Sequence, residues 1–279
     1  MTHTTFEFTS ADGLKLFARC WISSEPASKG MVFLVHGIGE HTGRYDHLGK
    51  ALAAAGYSLV GLDLRGHGLS EGKRGHAPGF EVYYDDIKRL MDEASSRFGK
   101  PPARFLYGHS LGGNIVIKFG LQIQAELNGV IATAPALKLA YEPPKFKLLI
   151  GKVMEKLFPS LTMSNTLDVE ALSRDQAIVQ AYLDDVLVHD QISAKLVMEL
   201  FKSGRFALEH ASDWVLPMLL MHGTGDRLSS YQASQTFAEN AGDQVELVLW
   251  KEYYHEIHND FGKEEVIEKM ISWLGQNAN

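Results

Sequence analysis

Three residue types far apart in the chain could together turn a serine into a nucleophile. Gly108-His109-Ser110-Leu111-Gly112 sets a serine between glycines, with apolar Phe105, Leu106 and Tyr107 before it and Ile115, Val116 and Phe119 after it. Such a pentapeptide arises by chance. Between a strand and a helix, however, it reads as a sharp turn holding the serine at its apex, with glycines where side chains would collide. The helix start would aim its positive end at a developing oxyanion. A serine hydroxyl alone is too weakly acidic to attack an ester at neutral pH. It needs an imidazole to take its proton and a carboxylate to fix the imidazole's tautomer. His109 is expected to pack or bond locally.

The elements that must deliver those partners are legible as alternating runs. Met31–Val35, Ser58–Leu62, Arg104–Tyr107, Gly129–Ala132, Met218–Met221 and Val245–Trp250 are short and mostly apolar, as strands covered on both faces should be. Tyr45–Ala55, Val82–Phe98, Leu111–Gln124, Tyr231–Asn240 and Glu264–Leu274 carry helical spacing. This alternation predicts an α/β fold with a mostly parallel sheet. Phe6–Phe8 and Lys15–Trp21, joined across Asp12-Gly13, read as an edge hairpin, which brings the sheet to about eight strands. From 137 to 210 no strand is evident. Phe146, Leu149, Ile150, Val153, Met154, Leu157 and Phe158 recur at helical spacing between Pro143-Pro144 and Pro159, and further helices are expected at Val169–Leu172, Asp175–Asp184 and Ser193–Leu208. The expected organisation is a core of residues 1–136 and 211–279 with an all-helical insertion, 137–210, capping the site.

In a sheet of this type the order is serine, acid, histidine, each in a loop after a strand. Asp226 follows the strand Met218–Met221 in the tight loop His222-Gly223-Thr224-Gly225-Asp226, whereas Asp213 and Asp243 lie at the wrong strand ends. His255 follows Val245–Trp250 and is favoured as the base. His258, three residues later, is expected to line the pocket or cap the helix, and His222 to brace the acid loop. The other histidines show no ligand spacing and there is no HExxH, so no metal or cofactor is expected. After Met31–Val35 comes His36-Gly37-Ile38, a loop of the kind that lends one backbone N–H to an oxyanion; Ile38 and Leu111 are the expected donors.

The segment HGIGEHTGRY (36–45) resembles the HGxGEHSGRY segment of the monoacylglycerol lipases, α/β-hydrolases of bacteria and animals. DLRGHGLSEG, GHSLGG, HGTGDRL and YYHEIHND are similar, in order and spacing, to that family's next loop and its nucleophile, acid and histidine motifs; LDVEALSRD and LVHD in the insertion are like bacterial members. The resemblance spans most of the chain. It implies the α/β-hydrolase fold, a Ser110–His255–Asp226 triad, cleavage of monoacylglycerols or similar lipid esters, and a polar pocket for the glycerol end at Glu40, Arg44 and His258. By composition alone, Glu40 and Arg44 form a helix-start ion pair. Thr42 stands where the family has serine, and Ile38 where a smaller residue is frequent, which leaves acyl preference open.

Composition bounds the rest. The chain has 279 residues, 45% hydrophobic and 22% charged, with a net charge of -7, which argues against nucleic-acid binding. Cys20 is the single cysteine, so no internal disulfide can form. The N-terminus lacks a basic start and apolar core, and the longest apolar run, Val215–Met221, contains Pro217. A soluble cytoplasmic protein is expected. Lys145, Lys147, Lys152 and Lys156 beside an apolar stripe suggest transient membrane-surface contact through the cap. The rival expectations are a lysophospholipase or broad carboxylesterase and, from another class, a non-catalytic ligand-binding homologue. Oligomeric state is not legible.

Overall fold

The computed structural model describes residues 1–24, 28–123 and 126–278. An eight-stranded sheet runs in the order β1-β2-β4-β3-β5-β6-β9-β10. β1 (Thr2–Thr9) and β2 (Lys15–Ile22) form the expected hairpin, and β2 alone runs against its neighbours. β3 (Gly30–Val35), β4 (Tyr57–Leu62), β5 (Arg104–His109), β6 (Gly129–Thr133), β9 (Met218–Gly223) and β10 (Val245–Trp250) are mutually parallel. The α/β-hydrolase fold expected above is thus the fold found.

Strand side chains alternate between two apolar layers, as the pleat requires. Phe33, Leu106 and Leu220 join one core with Ile115 and Phe119; Leu34, Phe105, Tyr107 and Leu219 join the other with Trp273. This double burial explains why the central strands are mostly apolar along their length. Helices α1 (Asp46–Ala54), α2 (Glu81–Phe98), α3 (Leu111–Gln122), α7 (Tyr231–Ala241) and α8 (Lys263–Asn277) flank the sheet. Each begins and ends within a few residues of its predicted place, except that the predicted end of α3 at Gln124 lies outside the described residues.

Between β6 and β9 lie α4 (Lys145–Leu157), β7 (Thr162–Ser164), a 3-10 turn (Val169–Ala171), α5 (Gln176–Asp184), β8 (Gln191–Ser193) and α6 (Ala194–Glu209). Asp175 and Ser193 cap α5 and α6, their side chains accepting from Ala177 N–H and Leu196 N–H. The expectation that this stretch holds no strand is corrected: β7 and β8 pair antiparallel, Met163 opposite Ile192. Three-residue strands are too short to display an alternation. The stretch is fastened over the strand ends that bear Ser110. His255 N–H and Glu256 N–H donate to Ala171 and Leu172 carbonyls, and His189 N–H donates to Gly39 O.

Candidate active site

Ser110 sits at φ 53°, ψ −112°, between the last residue of β5 and the first of α3. That conformation costs about 1–3 kcal/mol for a side-chain-bearing residue and persists because the strand and helix fix both its ends. The glycines are obligatory. A Cβ on Gly112 would overlap the Val35 carbonyl, and one on Gly108 would overlap the backbone of Gly112. α3 can therefore start hard against the sheet, with the Leu111 N–H among its unpaired N-terminal donors.

The three expected partners converge. His255 Nε2 lies 2.9 Å from Ser110 Oγ, and His255 Nδ1 lies 2.7 Å from Asp226 Oδ2. Asp226 only accepts, so Nδ1 carries the imidazole proton and Nε2 offers its lone pair to the serine. Asp226 is itself held by Leu228 N–H (2.7 Å) and Ser229 N–H (3.1 Å) at Oδ1, and by Ser229 Oγ (2.8 Å) and His222 Nε2 (2.9 Å) at Oδ2. His222 Nδ1 in turn accepts from Ser234 Oγ at 2.8 Å. Burial alone would push the Asp226 carboxyl up, but the two imidazoles beside it outweigh burial and hold it well below the usual carboxylate range. Burial likewise opposes charging His255. Asp226, with Glu256 and Glu40, more than offsets this and raises the imidazole above its ordinary value. The base works only when neutral, so kcat/KM should fall as pH drops through a midpoint above the ordinary imidazole value of about 6.5. A pH–rate profile with an acid limb centred below that value would contradict this.

The loop after β3 is pinned from both sides. Leu64 N–H donates to His36 Nε2 (2.9 Å), which leaves the proton on Nδ1, donated to Gly37 O at 2.7 Å. In a trans peptide the N–H opposes the carbonyl, so fixing the Gly37 carbonyl also fixes the direction of the Ile38 N–H. Glu40 Oε1 accepts from Gly37 N–H (2.6 Å) and Tyr45 OH (2.8 Å). A Cβ on Gly37 would lie 3.3 Å from that of Ser110, which places this loop directly against the serine.

A cavity of about 20 Å³ is bordered by Ile38, Glu40, Ser110, Tyr182, His255 and Glu256, among others. Ser110 is 8% exposed, with Leu167, Leu172 and Tyr182 over it. Of the three residues implied for the glycerol pocket, Glu40 borders this cavity. Arg44 and His258 do not. Arg44 is sandwiched between carboxylates, bonding Glu40 at 2.9 Å and Glu256 bidentately at 2.6 and 2.8 Å. His258 is fully buried, stacked on Tyr45 and edge-on to His109, and its nitrogens have no hydrogen-bond partner among the described residues. Glu256 and Ser229 went unremarked in the sequence, because nothing in a single sequence marks a carboxylate beside the base or a serine three residues past the acid. A separate apolar groove of about 900 Å³ is lined by Leu137, Leu139, Tyr141, Leu149, Val153 and Phe201 among others. Next to Leu137, the Ala136 N–H donates to Ser110 O.

Residues 26–261 match the profile of the serine aminopeptidase S33 family. A monoacylglycerol lipase of Mycolicibacterium smegmatis is 31% identical, the alignment covering 98% of this chain and 97% of that one. An abhydrolase domain-containing protein of Dictyostelium discoideum is 33% identical over 98% of this chain, which spans only 29% of that longer protein. The crystal structure of Paleococcus ferrophilus monoacylglycerol lipase superposes with a TM-score of 0.84 at 33% identity, covering 99% of this chain and all of that one. The chain is therefore a serine hydrolase, a member of the serine aminopeptidase S33 family and of the monoacylglycerol lipase family.

Proposed function

We propose that this chain cleaves monoacylglycerols to fatty acid and glycerol, with Ser110 as nucleophile, His255 as base and Asp226 as acid. The observation that carries the reading is the unbroken hydrogen-bond chain from Ser110 Oγ through His255 to Asp226 at a strained strand–helix turn. Ser110 Oγ attacks the ester carbonyl while Nε2 takes its proton. The carbonyl oxygen becomes an oxyanion facing the Ile38 and Leu111 amides. His255 returns the proton to the departing glycerol oxygen, leaving an acyl-serine, and water activated by the same imidazole releases the acid. The apolar groove that Leu137 helps to line suits the acyl chain, and the small cavity beside Glu40 and Glu256, about one water in volume, must open to seat the glycerol. Residues 137–210 act as the cap over both.

Wild-type protein should release one fatty acid and one glycerol per monooleoylglycerol, and a fluorophosphonate probe should label it but not Ser110→Ala. Labelled protein that cleaves p-nitrophenyl esters yet leaves monooleoylglycerol intact would replace the lipase reading with a general carboxylesterase.

The same proposal includes transient contact of α4 with a lipid surface. No helix among the described residues is long and apolar enough to cross a membrane. Yet Phe146, Ile150 and Leu157 on α4 are 61%, 55% and 64% exposed, with Phe158 and Met163 exposed beyond them. An apolar stripe of this kind is stabilised by the interfacial zone of a bilayer, where a monoacylglycerol resides. Lys152 and Lys156 lie on the groove wall, and the side chains of Lys145 and Lys147 lie outside the described residues. Replacing Phe146, Ile150 and Leu157 by serine should lower co-sedimentation with phosphatidylcholine–phosphatidylglycerol vesicles about tenfold. Equal sedimentation of variant and wild type would remove the membrane contact.

A further inference from the structure

We infer that Glu256 and Glu40 together make the alcohol subsite a charge filter, admitting neutral or cationic alcohols and turning away phosphate-bearing ones. This rests on the reading of the small cavity as the place of the leaving alcohol, and it names the feature that would separate a monoacylglycerol from a lysophospholipid of the phosphatidate type.

The argument starts from where the charges stand. Glu40 and Glu256 both border the cavity that also exposes Ser110 and His255. Their common counter-ion, Arg44, stands behind them. It is absent from the cavity wall, bonded to both carboxylates and covered by the Tyr182 ring at 4.7 Å. Two carboxylates against one guanidinium leave one negative charge uncompensated at the wall. Asn259 Nδ2, which donates to Glu256 Oε2 at 2.8 Å, brings a hydrogen bond but no charge. Among the described residues no other lysine or arginine pairs with either glutamate.

The nearby imidazoles do not make up the deficit: any charge on His255 is matched by the Asp226 carboxylate 2.7 Å from it. Burial, with His255 beside it, lowers His109 to about 4, and burial pushes His258 well below its ordinary value, so both are neutral near pH 7. Burial lowers His36 in the same way. Glu40, which burial would push up, is brought down to about 2 by Arg44 and its neighbours, so it stays charged. A phosphate placed beside His255 would therefore face like charge in a nearly closed space, where water screens little. A neutral glycerol meets no such repulsion. A single ion pair at this place would have been neutral. Glu256, directly after the base in the chain, is what tips the balance.

Short esters differing only in the alcohol test this without micelles: monobutyrin, 1-butyrylglycerol 3-phosphate and butyrylcholine. Wild type should prefer monobutyrin over the phosphate ester by at least about 100-fold in kcat/KM, and most of that preference should persist in 1 M NaCl, because the two carboxylates are buried away from the salt. Glu256→Gln should narrow that ratio about tenfold even though its absolute rate also falls, because Arg44 and the loop held by Glu40 lose an anchor. Glu256→Asp, which keeps the charge, should hold the ratio. A purely structural role for Glu256 would lower all three rates together and leave the ratio unmoved. That result, or wild-type rates on monobutyrin and the phosphate ester within threefold of each other, overturns the filter. Should Glu256→Gln lose fluorophosphonate labelling, the wild-type ratio and its persistence in salt decide alone. Failure to cleave monooleoylglycerol with the charge ranking intact would remove the lipase reading and leave the filter standing. Cleavage with no ranking would do the reverse.

Discussion

Replacing Ser110 by alanine should lower kcat about 10⁶-fold, replacing His255 by alanine should lower it by a similar factor, and the double variant should be no slower than either. The two side chains form one device. With Oγ 2.9 Å from Nε2, His255 is the base in reach of the Ser110 hydroxyl among the described residues. His109 is turned away to Thr133, its Nδ1 lying 3.1 Å from the hydroxyl. His258 is stacked on Tyr45 and edge-on to His109. What survives should be the contribution of the pinned amides and of binding, about 10³–10⁴ over water. Steady-state kinetics on p-nitrophenyl butyrate, with each variant's folding checked by thermal melting, would measure it. Losses that multiply in the double variant would mean that serine and histidine act in separate steps. A His255→Ala variant within tenfold of wild type would hand the base to another group.

The sequence declared this device unusually clearly because its parts sit where strands end. The strands are mostly apolar, so β5, β9 and β10 stand out as short blocks, and Ser110, Asp226 and His255 lie in the turns just beyond them. The hairpin was legible too, since Gly13 takes φ +91° in the loop where Asp12-Gly13 predicts a turn. The stretch 137–210 was less so. Its helices follow apolar periodicity, but the ribbon of β7 and β8 is held by backbone pairing between segments 27 residues apart, to which side-chain pattern is blind. The pocket chemistry was the least legible. Glu40 and Arg44 are neighbours on one turn and could be paired from spacing. That Arg44 also reaches Glu256, 212 residues on, depends on how the loops after β3 and β10 meet. His258 shows the opposite failure: polar by type, it is packed as an aromatic ring.

Replacing Asp226 by asparagine should leave the protein folded yet lower kcat about 10⁴-fold. The carboxylate presents acceptors on both sides: Oδ1 to the Leu228 and Ser229 amides, Oδ2 to His255 Nδ1, His222 Nε2 and Ser229 Oγ. An asparagine must put its NH₂ on one side. Facing the imidazoles, it meets two N–H donors, and His255 escapes only by moving its proton to Nε2. The ring then points a donor at Ser110 and cannot take the serine's proton. Facing the backbone instead, it leaves two amide N–H groups without an acceptor, at about 1–3 kcal/mol each. The first arrangement is cheaper, because the tautomer shift costs little while a buried amide cannot find another partner. The loss should therefore show in kcat with only a modest drop in melting temperature. Part of it should return at alkaline pH, where a serine alkoxide can form without the imidazole's help. A variant that keeps more than a tenth of wild-type kcat near pH 7 would show that Asp226 only steadies the loop. In that event the tautomer of His255 would have to be set by Ser229, whose hydroxyl oxygen lies 3.3 Å from Nδ1.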